Sequence, residues 1–432
     1  MHYFSTNRQS PDATFREATL NGQPADKGLY CPSEMPRLPG GFVDSLRDLS
    51  NAAIAFEVIK PYVSGDIPDD KLAEICTETV NFEFPLASIS EGISALELFH
   101  GPTLAFKDVG ARFMSRCLRH FAEERAEKTV VIVATSGDTG GAVTAGFHNV
   151  EGVEVVILYP KGKVSRVQEL QLTTLDGNVT AVEVDGVFDD CQALAKAALA
   201  DTDITTRVHL TSANSINIAR WLPQQFYFFY ALKQWPHDDE PPVISVPSGN
   251  FGNIASGILA RASGLPVKKF IAACNANDVV PQFLLTGNYE AKPSVETLSN
   301  AMDVGNPSNF VRVLEILGDN PKTITETLEA ASISDETTAE TMREVYEKFG
   351  YTLDPHGAVG YRALADFLDE HPGVRGVFLE TAHPVKFDSV ETILGRPVDA
   401  PPEVRDLLVK EKHSIEIDPD YQAVKEILLS KI

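Results

Sequence analysis

An ammonium group buried without a partner is costly, so lysine is ordinarily a solvated surface residue. In HGPTLAFKDVG, residues 100–110, Lys107 stands alone between Phe106 and Asp108 within a run of mostly small and apolar residues. It is either a helix start or a reactive amine. SVPSGNFGN, 245–253, closes a β-branched run and opens the helical pattern IASGILARA. Such a strand–loop–helix aims backbone N–H groups at one point, where the helix dipole also favours an anion. Gly249 and Gly252 allow close backbone approach, and Ser248, Asn250 and Asn253 offer side-chain donors. The stretch is neither G-x-G-x-x-G nor G-x-x-x-x-G-K-[ST]; its plainer reading is a turn that needs glycine.

ATSGDTGGAV, 134–143, repeats the architecture. Ser136, Gly137 and Thr139 sit in a second anion pocket suited to a carboxylate. Asp138 is out of place there unless something cationic lies beside it; alone, it reads as a helix N-cap. ANSINIARWLPQ, 213–224, holds Asn214, Ser215 and Arg220, with a guanidinium fork suited to phosphate. The plainer reading is a capped helix with a surface arginine. In VFLETAHPVKF, Thr381 ends a strand where parallel sheets bind ligands, or simply makes a strand-end hydrogen bond. Together these pieces describe a site for an aldehyde cofactor carrying a phosphate: an amine for a Schiff base, a phosphate loop and a hydroxyl for a ring nitrogen. Pyridoxal phosphate is the economical candidate.

The elements that must position these residues follow from periodicity. DVGARFMSRCLRHFAEERAEK has the i, i+4 stripe of a helix, with Asp108 in its first turn and His120 beside the stripe. TVVIVAT, VEVVILYP (153–160), NVTAVEV, PVISVP (near 242–247), KKFIAACN (near 268–275) and RGVFLET (near 375–381) read as strands. Helical patterns lie between the early ones: from Ala142 to Phe147, VSRVQELQLTTL and DDCQALAKAALA. Alternation of this kind predicts βαβ units and mostly parallel sheets. QWPHDDEPP, 234–242, is the best connector, and 290–350 read as helical, most clearly TITETLEAASISDETTAETMREVYEKFG.

With 432 residues the chain is too long for one core. The net charge of −24 and the lack of a basic stripe argue against nucleic acid. No apolar run reaches the roughly 18 residues of a membrane span, and the N-terminus lacks an apolar signal core. The five scattered cysteines have no metal-finger spacing, so no metal is expected. They read as single thiols of a reducing compartment, and a cytoplasmic location is expected.

In order and spacing, HGPTLAFKD, SGDTGGA, NSINIAR, PSGNFGN, LSNAMDVGNPSNF, LDPHGAVGY and TAHPVKF resemble the threonine synthases. These belong to the tryptophan-synthase-β-like (fold type II) pyridoxal-phosphate enzymes. KGLYCPSEMP is similar to the family's N-terminal segment, so the resemblance covers almost the whole chain. It implies that Lys107 is the cofactor lysine, that Ser248, Gly249, Asn250, Phe251, Gly252 and Asn253 hold the cofactor phosphate, and that Thr381 bonds the pyridine nitrogen. Asp138 would lie at the cofactor's O3′ edge, where the long-chain branch has Asp. Ser136, Gly137 and Thr139 would bind the substrate carboxylate, and Asn214, Ser215 and Arg220 the substrate phosphate. Arg166 has no matching role.

The implied architecture is two three-layer α/β domains with pyridoxal phosphate in the cleft between them. The expected boundaries are an N-terminal helical segment, 1–95, packed on the large domain; a small domain, 96–235, with the lysine and the substrate turn; and a large domain, 236–432, with the phosphate loop and a helical insertion around 290–350. The implied reaction is β,γ-replacement on O-phospho-L-homoserine, giving L-threonine and phosphate in the last step of threonine biosynthesis. Lys107 would carry the protons, and a lysine near its usual pKa of about 10.4 would do this poorly unless its site lowers that value. A phospholyase or deaminase using the same cofactor is the alternative chemistry. A cofactor-less scaffold would be expected to lose the lysine, and no G-x-G-x-x-G supports a nicotinamide enzyme. Monomer and homodimer both remain open.

Overall fold

The computed structural model describes residues 1–122, 128–237, 239–318 and 321–431. In chain order its strands are β1 (Tyr3–Ser5), β2 (Tyr30–Pro32), β3 (Leu86–Ser90), β4 (Ile93–Glu97), β5 (Thr129–Ala134), β6 (Val153–Pro160), β7 (Val179–Val184), β8 (His209–Ser212), β9 (Val243–Pro247), β10 (Lys269–Cys274), β11 (Leu328–Ser332), β12 (Gly376–Glu380) and β13 (Ile415–Ile417). Among the described residues they form a β1–β2 pair, a six-stranded sheet in the order β11-β10-β9-β12-β4-β3, and a five-stranded sheet in the order β13-β7-β6-β5-β8. The five-stranded sheet is wholly parallel. The six-stranded sheet is parallel except for the antiparallel β3–β4 pair.

Each sheet is buried on both faces, which is why its central strands are continuous apolar runs. Successive side chains alternate between two cores. In β5, Val131 and Val133 join the core that contains Val109, Phe113 and Cys117, whereas Val130 and Ile132 face Cys191, Leu194 and Leu428. In β9, Ile244 and Val246 join Ile254 and Ile258, whereas Val243 faces Val359 and Leu364. Two three-layer α/β units result, as expected.

The sheets share the chain differently from the expected boundaries. β3 and β4, at 86–97, belong with the strands after 242, so the six-stranded sheet draws on both sides of the cut at 95/96. Near the other end, β13 pairs with β7, and the helix Tyr421–Leu429 buries Val424 and Leu428 on the five-stranded sheet. Residues after 414 thus return to the unit expected to end at 235. The N-terminal segment also contains the β1–β2 pair. The expected helical stretch 290–350 is interrupted by β11, an edge strand parallel to β10; residues 319–320 lie outside the described set. The Lys107 helix runs to Ala122, and the remainder expected for it, 123–127, also lies outside that set. In the 234–242 connector, Trp235 is buried and its indole N–H bonds Glu240 O at 2.8 Å; Asp238 is not described.

Leu428 is fully buried, whereas Val409 is 84% exposed. Leu428→Ala is therefore expected to destabilise the protein by about 2–5 kcal/mol. Val409→Ala should stay within about 0.5 kcal/mol of the parent. Urea unfolding midpoints of the two variants provide the comparison.

Candidate active site

The candidate residues gather where parallel strands end. β9 and β12 are neighbours, so the loop after Pro247 and Thr381 share one edge of the six-stranded sheet. Asp138 follows β5 of the other sheet. Lys107 opens the helix Lys107–Ala122, and the loop before it is tied to the end of β12. Phe106 N–H donates to Thr381 O at 2.9 Å, and His383 N–H donates to Leu104 O at 3.0 Å. The Tyr227 hydroxyl donates to Phe106 O. Leu104 adopts a left-handed φ of 57°, a strained conformation for a branched side chain that such loops concentrate at functional sites. Asp108, expected only to meet free N–H groups of its own helix, instead turns back. It accepts from Thr103 N–H at 2.9 Å and from the Thr103 hydroxyl, which fixes the loop that presents Lys107.

Lys107 is 17% exposed, with Nζ 3.5 Å from Asp138 Oδ2. Asp138 is not the N-cap of the helix Asp138–Phe147; Gly137 occupies that position. Its Oδ1 meets Lys386 Nζ at 2.7 Å and accepts from Gln168 Nε2 at 3.0 Å. The cation that the sequence required beside Asp138 is thus supplied twice. Burial works to raise the Asp138 pKa, but Lys386 and Lys107 override it and hold the carboxyl well below its usual range. Burial lowers the Lys107 pKa; Asp138 opposes this, and Lys386 and Arg220 add to it. Lys386, in TAHPVKF, was not singled out in the sequence. The signal available was a lysine in an otherwise apolar PVKF, too short to disclose burial.

The 136–141 turn is organised by Thr135, also missed, whose hydroxyl accepts from Gly137 N–H and Gly140 N–H at 3.0 and 2.8 Å. Gly137 has φ 137°, and a Cβ there would lie 2.5 Å from the Gln168 amide carbon. Ser136 is exposed and Thr139 half-buried.

In the 248–253 loop, Phe251 has a left-handed φ of 60° and precedes the helix Gly252–Ala262 without a side-chain cap bond. The first N–H groups of that helix are therefore presented towards the loop. A Cβ on Gly249 would meet Met302 Cα at 2.5 Å, so glycine is needed there for close approach. The side-chain donors expected here divide. The Ser248 hydroxyl is spent on Val246 O. Asn250 donates to Ser215 Oγ at 2.7 Å and accepts from Ser308 N–H at 2.7 Å, so it braces the loop rather than pointing a donor outward. Asn253 is buried with both amide atoms unpartnered.

Asn214 and Ser215 lie half-buried after β8. Asn214 Oδ1 is unpartnered. Arg220 is not a surface residue: it is 3% exposed, with Nη1 donating to Ala213 O and a buried Nε unpartnered. Burial lowers its pKa to about 10. Arg312, unnoticed in the sequence, is fully buried over the Trp221 ring at 4.3 Å. It donates to Tyr30 O, Ser215 O, Ile216 O and Asn309 Oδ1. Trp221 in turn donates to Gly252 O at 3.1 Å.

A phosphorylated aldehyde cofactor suits these residues: a largely buried amine, uncapped helix N–H groups, an orphaned Asn253 amide and the Thr381 hydroxyl at the end of a neighbouring strand. Among the described residues no group of three or more His, Cys, Asp or Glu is placed to hold a metal. No described helix is long and apolar enough to cross a membrane.

Comparison with known proteins points to the same cofactor. Residues 87–379 match the model of pyridoxal-phosphate dependent enzymes, 2–80 that of the threonine synthase N terminus, and 357–428 that of the threonine synthase C-terminal region. The threonine synthase of Escherichia coli is 42% identical over 100% of both chains, and its crystal structure superposes with a TM-score of 0.92 over 100% of both. The pyridoxal-phosphate-bound threonine synthase of Brucella melitensis is 33% identical, with a TM-score of 0.93 over 100% of this chain and 99% of that one. The maize serine racemase structure, 18% identical with a TM-score of 0.57 over 83% of this chain and 97% of that one, shares the fold.

His383 follows Thr381 closely, and its Nδ1 accepts from Val385 N–H at 3.1 Å, which requires a neutral ring. Burial, aided by the nearby His100, lowers its pKa to about 4. Its unfolded value is about 6.5, so between pH 6.5 and 4 the unfolded chain binds more protons. Stability from this group is complete above pH 6.5 and is lost as pH falls towards 4. His383→Asn is expected to flatten that part of the stability–pH curve, as read by urea midpoints from pH 7 to 4.5.

Proposed function

The chain belongs to the threonine synthase family of pyridoxal-phosphate-dependent enzymes, and we propose that Lys107, Asp138, the 248–253 loop and Thr381 carry its reaction, the conversion of O-phospho-L-homoserine and water to L-threonine and phosphate. The observation that carries this assignment is Lys107 itself: a largely buried amine, 3.5 Å from an ionised Asp138, beside the end of β12.

When bound, pyridoxal 5′-phosphate supplies a carbonyl carbon for an amine and an electron sink for the substrate's Cα. Lys107 Nζ would hold that carbon. The Gly252 helix N-terminus and Asn253 would hold the phosphate, and the Thr381 hydroxyl would meet the ring nitrogen. A neutral hydroxyl there, unlike a carboxylate, does not enforce a protonated ring. Freed when the substrate's amine takes its place, Lys107 would take the proton from Cα and then one from Cβ; phosphate leaves from Cγ, a proton returned to Cγ makes the methyl group, the oxygen of water adds at Cβ, and a proton returned to Cα completes L-threonine. Burial lowers the Lys107 pKa, the direction that favours the neutral, proton-accepting amine. Asp138 stays charged beside it. The 136–139 turn offers N–H groups to the substrate carboxylate, and Arg220, with Asn214 and Ser215, is the clamp assigned to the departing phosphate. Five free, buried cysteines support a reducing, cytoplasmic setting; monomer and homodimer both accord with this reading.

Lys107→Ala is expected to remove the visible absorbance of the bound cofactor and to lower kcat by about 10³-fold or more. A visible band that survives the substitution overturns the assignment of Lys107. With the parent enzyme, threonine and phosphate should form in equal amounts from O-phospho-L-homoserine. Phosphate accompanied by 2-oxobutyrate instead of threonine would overturn the reaction.

A further inference from the structure

Lys386 lies in the short turn after β12 with none of its side chain exposed. Its ammonium meets two acceptors on different elements: Asp138 Oδ1 at 2.7 Å, at the start of the Asp138 helix, and Thr103 O at 2.8 Å, in the loop that leads into Lys107. Gln171 Nε2 donates to the same Thr103 O at 3.0 Å. Asp138 Oδ2 faces Lys107 Nζ at 3.5 Å, a looser approach than the 2.7 Å on its other side. One buried carboxylate is therefore shared between a fixed ammonium and the reactive amine, and the fixed partner has the shorter contact. A buried ammonium has three N–H groups and needs more than one acceptor; the second one here, Thr103 O, lies in the loop that leads into Lys107. That second bond sets the distance between the Asp138 turn and the Lys107 loop.

We propose that Lys386 is a positioning residue for the Lys107 amine: it anchors the Asp138 carboxylate and the Thr103 loop together and keeps the carboxylate from closing onto Lys107, so that the amine can release its proton without leaving its place. The proposal rests on the reading of Lys107 as the cofactor lysine. The charged groups around the pair act in a consistent sense. Asp138 favours the charged form of Lys107, whereas Lys386 and Arg220 oppose it. Lys386 also favours the ionised form of Asp108, against burial, and disfavours a charged His383.

The test is a cycle of holoenzyme variants, Lys386→Met, Asp138→Asn and the double variant, each titrated through the visible absorbance of the Lys107-bound cofactor. Lys386→Met should move the titration midpoint up by about one unit or more, because Asp138 is left to pair with Lys107 alone. Asp138→Asn should move it down, and the double variant should lie above Asp138→Asn. The acid limb of kcat should move with the midpoint in Lys386→Met. KM for O-phospho-L-homoserine should change less than kcat. If Lys386→Met does not fold, the double variant compared with Asp138→Asn gives the same reading with no uncompensated buried carboxylate. Equal midpoints with and without Lys386, accompanied only by a lower melting temperature, would overturn the proposal and leave Lys386 a packing residue. That outcome is distinct from failure of the underlying reading, which Lys107→Ala would reveal by keeping the visible band.

Discussion

Asp138 is a buried carboxylate held between two lysines, and much of the molecule is arranged to allow it. Taking a carboxylate and two ammonium groups out of water costs several kcal/mol per ion, returned only when the geometry is good and the remaining polar atoms are bonded. Here Gln168 and Thr103 O provide those further bonds. The three charges come from positions 107, 138 and 386, on a helix start, a strand-to-helix turn and the short turn after the last strand of the six-stranded sheet. No local segment could bring them together. Two sheets whose carboxyl ends converge can, and the exchange of chain between the sheets at 86–97 and 415–417 binds the two units to each other.

The same geometry explains why strain and glycine are concentrated where they are. Leu104 and Phe251 both hold left-handed backbone, one in the loop that leads into Lys107 and one directly before the helix Gly252–Ala262. Each is held by its surroundings: the Leu104 carbonyl by His383 N–H, and the Phe251 ring by Phe310 at 5.5 Å. Strain of about 1–3 kcal/mol per residue persists only where neighbours over-determine it. At Phe251 the result is a helix whose first N–H groups carry no side-chain cap.

Much of this was legible in the sequence, for a physical reason. The central strands β6, β7, β9, β10 and β12 are buried on both faces and read as continuous apolar runs. Lys107, Asp138 and the 248–253 loop were visible because their residue types conflict with a purely structural role. What escaped lies at the edges or depends on distant pairing. LEAAS in β11 has helix-favouring composition and becomes a strand only by pairing with β10. IEI in β13 is short and mostly exposed, and its place beside β7 is a matter of fold. Lys386 and Arg312 look like ordinary cations until their burial is known. The roles of Ser248 and Asn250 changed for a similar reason. Their donors were correctly identified, but partners from other segments take them up.

Those partners tie the 248–253 loop to the 215–221 segment. Asn250 from one unit bonds Ser215 from the other, and Trp221 bonds Gly252 O across the same boundary. Arg312 then fixes the 215–216 carbonyls and Tyr30 with one guanidinium. Removing one partner from a largely buried set of this kind leaves polar groups without bonds, so the units cannot slide at this edge without losing several hydrogen bonds at once. The Asp138 edge is built differently. It is held by side-chain contacts of Lys386, Lys107 and Gln168 to one carboxylate, rather than by a planar fork against backbone carbonyls. The two edges therefore hold by different means: at the loop edge a shift would break several bonds to backbone carbonyls together, whereas at the Asp138 edge one carboxylate ties both lysines, and its loss would leave both ammonium groups without their shared partner.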